Sequence, residues 1–333
     1  MKKNVVTGKS LPFLSICLLI CLANNLFAVS DTLRTMKYSS RVESAAIKWQ
    51  NEVRSRLLGL LKLDDLVSLH TNNTLNPKEL SSVDKGDYTL REVEINSTPG
   101  RRIRVVITFP KHTAGPWPAV ICIHGHGGQS LSVYDKGSIY KGFADALATR
   151  NFVTIAGFVS QHKVVEEGRL LMGERLWDLI RCVDYLESLK EVDKTRIGCA
   201  GLSLGGEMAM WLGAADTRIH ATVSAGFLTK MDQMEHNHCM CWKFPGLRQL
   251  VDYADIYSLI APRPLQCQNG TREPVRDFYV PVARDAFKEI EVIYWDYQRP
   301  ENLNFDVHNG AHEIDLPALI SFFGKYLVPE GSL

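Results

Sequence analysis

The chain has 333 residues, 45% of them hydrophobic and 23% charged, a composition that supports one large α/β core with additions and excludes a disordered or fibrous chain. The formal net charge of +1 leaves no basic footprint for nucleic acid, so no nucleic-acid partner is expected. No internal repeat period stands out.

At the N-terminus, Lys2, Lys3 and Lys9 precede an apolar run from Leu11 to Leu22, and the small Ala28 follows Asn24 and Asn25. This is the layout of a secretory signal peptide over residues 1–28, with a run too short for a stable membrane span. A secreted or periplasmic protein is expected. Cys21 admits a lipid-anchored form, although Ile20 is bulky for such a signal. Cys122, Cys182, Cys199, Cys239, Cys241 and Cys267 remain after cleavage. Export permits disulfides, but no spacing declares a framework. Cys122, Cys199 and Cys267 fall in predicted strands and read as small buried hydrophobes.

Residues 29–85 read as an N-terminal helical extension. Ala46, Trp49, Val53, Leu57, Leu60 and Leu61 recur at three- and four-residue steps there, and residues 72–78 read as a loop. Residues 86–333 read as one catalytic domain. It opens with a hairpin: Leu90, Val93 and Ile95, a Ser97-Thr98-Pro99-Gly100 turn, then a strand over 103–109. Alternation follows, with strands expected at 119–123, 152–156, 197–200, 219–225, 264–268 and 291–294. Helices are expected at 139–148, 174–189, after Ser203, and at 316–327. This predicts an α/β fold with a mostly parallel, doubly wound sheet. The alternation breaks in a lid-like insertion over residues 229–250.

The segment Arg196 to Met210 carries the chemistry: a short apolar run, then Gly201-Leu202-Ser203-Leu204-Gly205, then a helix-favouring run. Small neighbours let a nucleophile sit at the tip of a sharp strand-to-helix turn, near a helix N-terminus that favours negative charge. A serine hydroxyl needs a base, and the base needs an orienting acid. His312, in the loop before the last helix, is the expected base, with His308 second. Glu273, just beyond the strand at 264–268, is the expected acid, with Asp277 second and Glu301 or Asp306 as outside choices. The oxyanion donors are expected to be the backbone N–H groups of Leu204 and His126, with Gly127 as the alternative for the second. Arg175 and Trp242 are candidates for substrate contact, as is Arg272. His236, His238, Cys239 and Cys241 match no structural zinc spacing and read as part of the lid, so no metal and no cofactor are expected.

The Gly201-Leu202-Ser203-Leu204-Gly205-Gly206 elbow and the His124-Gly125-His126-Gly127-Gly128 loop resemble the α/β-hydrolase superfamily. Gly173-Glu174-Arg175 ahead of Asp178, Ala261-Pro262-Arg263-Pro264 and Gly270-Thr271-Arg272-Glu273-Pro274 together resemble the bacterial acetyl xylan esterase and dienelactone hydrolase-like group, from Tyr88 onward. The resemblance implies the α/β-hydrolase fold, with helices on both faces of the sheet and an antiparallel N-terminal hairpin. It also implies a Ser-His-acid triad acting on esters of plant polysaccharides. The group carries Asp where this chain has Glu273, and the extra methylene moves the carboxylate. The expected activity is deacetylation of an oligo- or polysaccharide ester. A methyl esterase acting on uronic-acid esters is the near alternative. A serine peptidase and a non-catalytic carbohydrate-binding homologue are more distant ones.

Overall fold

The computed structural model describes residues 1, 34–69, 74–235, 238–275 and 278–328; residues 2–28 of the expected signal peptide lie outside them, as do His236 and Asp277. Among these residues nine strands form one sheet: β1 (Lys78–Asp84), β2 (Tyr88–Thr98), β3 (Arg101–Pro110), β4 (Trp117–Ile123), β5 (Val153–Gly157), β6 (Val192–Leu202), β7 (Ala221–Ala225), β8 (Leu265–Gly270) and β9 (Leu303–His308). Their spatial order is β1-β2-β3-β5-β4-β6-β7-β8-β9. The pairs from β1 through β3 to β5 are antiparallel, and those from β5 to β9 are parallel.

The helices are α1 (Glu43–Leu60), α2 (Asp64–Leu69), α3 (Phe143–Ala148), α4 (Leu171–Ser188), α5 (Leu204–Ala215), α6 (Met231–Met234), α7 (Leu247–Leu250), α8 (Tyr253–Ser258), α9 (Val280–Asp296) and α10 (Leu316–Leu327). The pleat of β4 shows why both faces are covered. Ala119, Ile121 and Ile123 point into one core with residues of α1, α4, α5 and α9. Val120 and Cys122 point into a second core, with Phe143 and Leu147 of α3 and Leu319 and Phe323 of α10. A strand buried on both sides must be apolar throughout, as this one is.

Three expectations are corrected. Residues 291–294 are not a strand but the last turns of α9, whose buried Ala283, Ala286, Ile290, Ile293 and Tyr294 follow helical spacing. Val292, Ile293 and Tyr294 favour strands locally, yet packing of the buried face of the whole 17-residue helix decides. The last strand is instead β9, a half-buried edge whose sequence LNFDVH alternates apolar and polar residues without forming an apolar run. Residues 29–85 are not purely helical either. Their end, β1, is exposed along its length and extends the sheet as an edge strand. The expected helix at 139–148 shortens to α3.

The N-terminal segment is integrated into the core. Trp49, Val53 and Leu57 of α1 are buried there, and Gln50 Nε2 donates to the Ser258 and Ala261 carbonyls at 2.9 and 2.7 Å. The insertion is anchored likewise by buried Met231, Met234, Trp242, Phe244 and Leu247. Among the described residues, no helix is long and apolar enough to cross a membrane.

Candidate active site

Strand β6 ends at Leu202 and α5 begins at Leu204, leaving Ser203 at φ 62°, ψ −126°. Few L-residues adopt that conformation, and its strain persists only where the surroundings impose it. Here the Ser203 N–H donates to the Ala225 carbonyl at 2.9 Å, and the Ser203 carbonyl accepts the Glu207 N–H at 2.9 Å. Gly205 is required by close approach, since a Cβ there would lie 2.2 Å from the Ile123 carbonyl oxygen of β4.

His312 sits in the loop between β9 and α10. Its Nδ1 lies 2.9 and 3.1 Å from the two Glu273 carboxylate oxygens. The Glu273 side chain is 1% exposed and that of His312 31%. With a carboxylate at Nδ1, that nitrogen carries the proton and Nε2 the lone pair. The turn holding Glu273 is itself pinned, as Thr271 N–H donates to His308 O and Arg272 N–H to Gly310 O, both at 2.9 Å. Phe278 stacks on the imidazole, ring centres 5.3 Å apart and planes 13° off parallel. On another side lies Gly226, where a Cβ would come 2.8 Å from His312 Cε1. Gly226 directly follows Ala225, the residue that accepts the Ser203 N–H.

The loop after β4 faces the elbow. Tyr140 Oη accepts the Gly125 N–H at 2.7 Å, and Ser160 Oγ accepts the Gly127 N–H at 2.7 Å. Gly127 is therefore engaged, whereas the N–H groups of His126 and Leu204 meet no acceptor among the described residues. His124 is fully buried; its Nδ1 lies 2.9 Å from the Gly125 carbonyl, and its Nε2 accepts the Val159 N–H at 3.2 Å. Burial lowers its pKa.

A cavity of about 40 Å³ opens beside Ser203, lined by Leu204, His126, Glu207, Phe227 and Phe278 below and by Met234, His238, Cys239, Cys241 and Trp242 of the insertion above. Burial raises the Glu207 carboxyl to about 8, which favours its protonated form. Among the described residues, its Oε1, the Trp242 Nε1 and the Tyr253 hydroxyl are buried without hydrogen-bond partners. A larger cavity of about 670 Å³ lies over β2 and β3, between residues such as Leu90, Arg101 and Ile103 and the loop residues Leu131, Phe158 and Gln161. It contains no nucleophile with a base, so its size does not make it the reaction centre.

Several expected residues fall elsewhere. Arg175 does not line the small cavity; it is fully buried, its guanidinium donating to the Gln161 carbonyl and to Cys241 Sγ at 3.4 Å. The reason lies in the start of α4. Glu174 accepts the Val165 and Glu166 N–H groups at 2.7–3.0 Å, and Asp178 accepts both Arg101 amino groups at 2.8 Å. The Gly173-Glu174-Arg175…Asp178 stretch thus holds the loop after β5. Trp242 does line the cavity and is 1% exposed. Arg272 is exposed and donates to the Asn309 carbonyl at 3.3 Å. His308 lines a separate surface cleft with Lys141 and Glu313. Glu301 is exposed in a short turn, and Asp306 is half-buried on β9.

Residues missed in the sequence include Phe278, Tyr140 and Glu207. Glu207 could have been noticed as the one charge in an otherwise apolar helix start. His162 was missed as well. Its donor atom and those of His126, Cys239 and Cys241 all lie within 4.8 Å of one another. Burial pushes up the Cys241 thiol, against the pull of Arg175. Desolvation, then Arg175 and His162, lower His126 to about 4.

This sheet order with a strained serine between β6 and α5 defines an α/β-hydrolase fold. The family described as "Glucuronyl esterase, fungi" matches residues 95–226, from within β2 through the elbow and β7. A protein of Bacillus subtilis (strain 168) named as a hydrolase, YtaP, is 32% identical over 184 residues, 46% of this chain; the match spans 60% of that relative's length. A structure from Bacteroides fragilis NCTC 9343, assigned as an acetyl xylan esterase, superposes with TM-score 0.70 at 17% identity, covering 92% of this chain and 90% of its own. Methylesterase BT1017 superposes with TM-score 0.70 at 20% identity, covering 87% of this chain and 65% of its own. The similar proteins are thus named as esterases and hydrolases, and the two solved structures share the fold.

Proposed function

We propose that the chain is an exported serine carboxylester hydrolase that removes small acyl groups, acetyl above all, from plant oligo- or polysaccharides. Ser203 Oγ attacks the ester carbonyl. His312 takes the serine proton at Nε2 and delivers it to the leaving sugar hydroxyl, then activates the water that cleaves the acyl-enzyme. Glu273 holds the imidazole in the productive tautomer and stabilises its cationic form. The N–H groups of His126 and Leu204 receive the developing oxyanion.

The observation that carries this reading is the strained Ser203 beside a cavity of about 40 Å³. At roughly 10–15 Å³ per water on the same measure, the space admits about three water molecules, which suits a two-carbon acyl group. A sugar ring must sit outside it, on the alcohol side of the ester. Methyl esters of uronic acids reverse that arrangement, since the sugar is then the acyl part. The glucuronyl esterase match over residues 95–226 and the superposition on methylesterase BT1017 favour this second reading.

The test is release of acetate and of methanol, measured separately, from acetylated xylan and methyl-esterified pectin by the native chain and Ser203→Ala. Acetate release that Ser203→Ala abolishes is expected. Methanol release alone selects the second reading, and equal turnover by both proteins removes Ser203 from the mechanism.

A further inference from the structure

Three loops distant in sequence converge above the small cavity. His126 belongs to the loop after β4 and His162 to the loop after β5, while Cys239 and Cys241 flank one residue of the insertion. Their four donor atoms lie within 4.8 Å of one another. His126 Nε2 is already 3.1 Å from Cys241 Sγ, and the two imidazole centres are 5.3 Å apart. We propose that these four side chains form a tetrahedral His2Cys2 site for a soft divalent cation, zinc(II), that clasps the insertion to the loops at the carboxyl ends of β4 and β5.

Bonds of about 2.0 Å to nitrogen and 2.3 Å to sulfur place tetrahedral donors about 3.3–3.8 Å apart. Donors no more than 4.8 Å apart reach that geometry when each moves inward by under about 1 Å. Two thiolates and two imidazoles select zinc over magnesium or calcium, which take oxygen donors. The chain fills all four positions, so the metal is structural and does not itself carry water or substrate. On binding, the two thiols release their protons to solvent and the imidazoles coordinate as neutral rings.

The surroundings hold the donors in place. Arg175, buried beneath the cluster, donates to Cys241 Sγ at 3.4 Å and to the carbonyl of Gln161, the neighbour of His162. It thereby joins the segment carrying one thiol to the loop carrying one imidazole, whether or not the metal is bound. A clasp here also fixes His126 next to the elbow and closes the roof of the cavity. The inference goes beyond the esterase reading, because metal retention is read without substrate.

The experiment uses the full chain, untagged and reduced, purified without chelator. Stoichiometric zinc by mass spectrometry is expected. Exchange with cobalt(II) is expected to give the intense visible bands of a tetrahedral site and a thiolate-to-metal absorption. Both signals are lost in Cys239→Ser/Cys241→Ser and weakened in His162→Gln, with circular dichroism confirming the fold of each. The cobalt spectrum of the native chain stands even where a variant fails to fold. A reduced native chain that takes up neither zinc nor cobalt overturns the proposal. So does a Cys239–Cys241 disulfide found in the chain as secreted, or metal retained by the folded double-cysteine variant.

Discussion

Glu273→Gln is the substitution that tests the proposed triad most directly. The amide keeps the shape of the side chain and can still accept a hydrogen bond from His312 Nδ1, now 2.9 Å from the nearer carboxylate oxygen. What disappears is the negative charge facing the imidazolium that forms as Ser203 attacks. The Glu273 side chain is 1% exposed, so water screens that charge poorly. With the two charge centres about 4 Å apart and an effective dielectric constant of about 20, the lost attraction is at most about 4 kcal/mol. At about 1.4 kcal/mol per decade, kcat/KM for p-nitrophenyl acetate should fall by up to about a thousandfold. Glu273→Asp keeps the charge but withdraws it by one methylene, about 1.5 Å. The turn cannot simply follow, because the Thr271 and Arg272 N–H groups tie it to the His308 and Gly310 carbonyls. Glu273→Asp should therefore lie between the native chain and Glu273→Gln. A Glu273→Gln rate within tenfold of native would refute the assignment and turn attention to Asp277.

Glu207 makes a stability prediction. Burial raises its pKa from the usual 4.5 to about 8, so between those values the unfolded chain gives up a proton that the folded chain keeps. Its contribution to stability is full below about pH 4.5, falls as pH rises through the window at up to about 1.4 kcal/mol per unit, and levels off above about pH 8. Thermal melts of Glu207→Gln should show a smaller loss of Tm across that window than the native chain; parallel curves would mean Glu207 is ionised in the fold. Trp242→Phe tests the roof of the acyl cavity. It should raise the butyrate-to-acetate kcat/KM ratio by about fourfold per methylene admitted, from about 0.8 kcal/mol per buried CH2. An unchanged ratio would place the acyl group outside this cavity.

Where local signals and packing agreed, the fold was legible. The run from Trp117 to Ile123 is apolar throughout because β4 is buried on both faces, and α10 matches its expected bounds because Asp315 caps it, accepting the Ala318 N–H. Legibility failed where tertiary contacts overrode local preference. Val292, Ile293 and Tyr294 are strand formers that finish a helix. Strand β9 is a different case: Leu303 to His308 alternate apolar and polar, a period-2 strand signal only six residues long that the sequence reading passed over. The elbow was readable because its geometry demands small residues in sequence order. Phe278 was not, because nothing in an isolated phenylalanine announces that it will stack on an imidazole 34 positions later.

The cysteine and histidine residues show the same limit more sharply. Sequence reasoning weighed His236, His238, Cys239 and Cys241 together because they are neighbours in the chain, and their spacing fitted no zinc motif. The structure assembles a different set. His238 lies toward Phe278, ring centres 5.5 Å apart, while His126 and His162 come from the loops after β4 and β5. In an open α/β sheet, loops at the carboxyl ends of adjacent parallel strands meet above the sheet wherever their chain positions fall. Strands β4 and β5 are such neighbours, paired in parallel from Ala119 with Val153 to Ile121 with Ile155. Their two histidines are therefore brought together by the sheet order, and the insertion needs only to fold over the elbow to add its two thiols. A donor set built this way has no sequence spacing to recognise, which is why the sheet topology had to be known before the cluster could be seen.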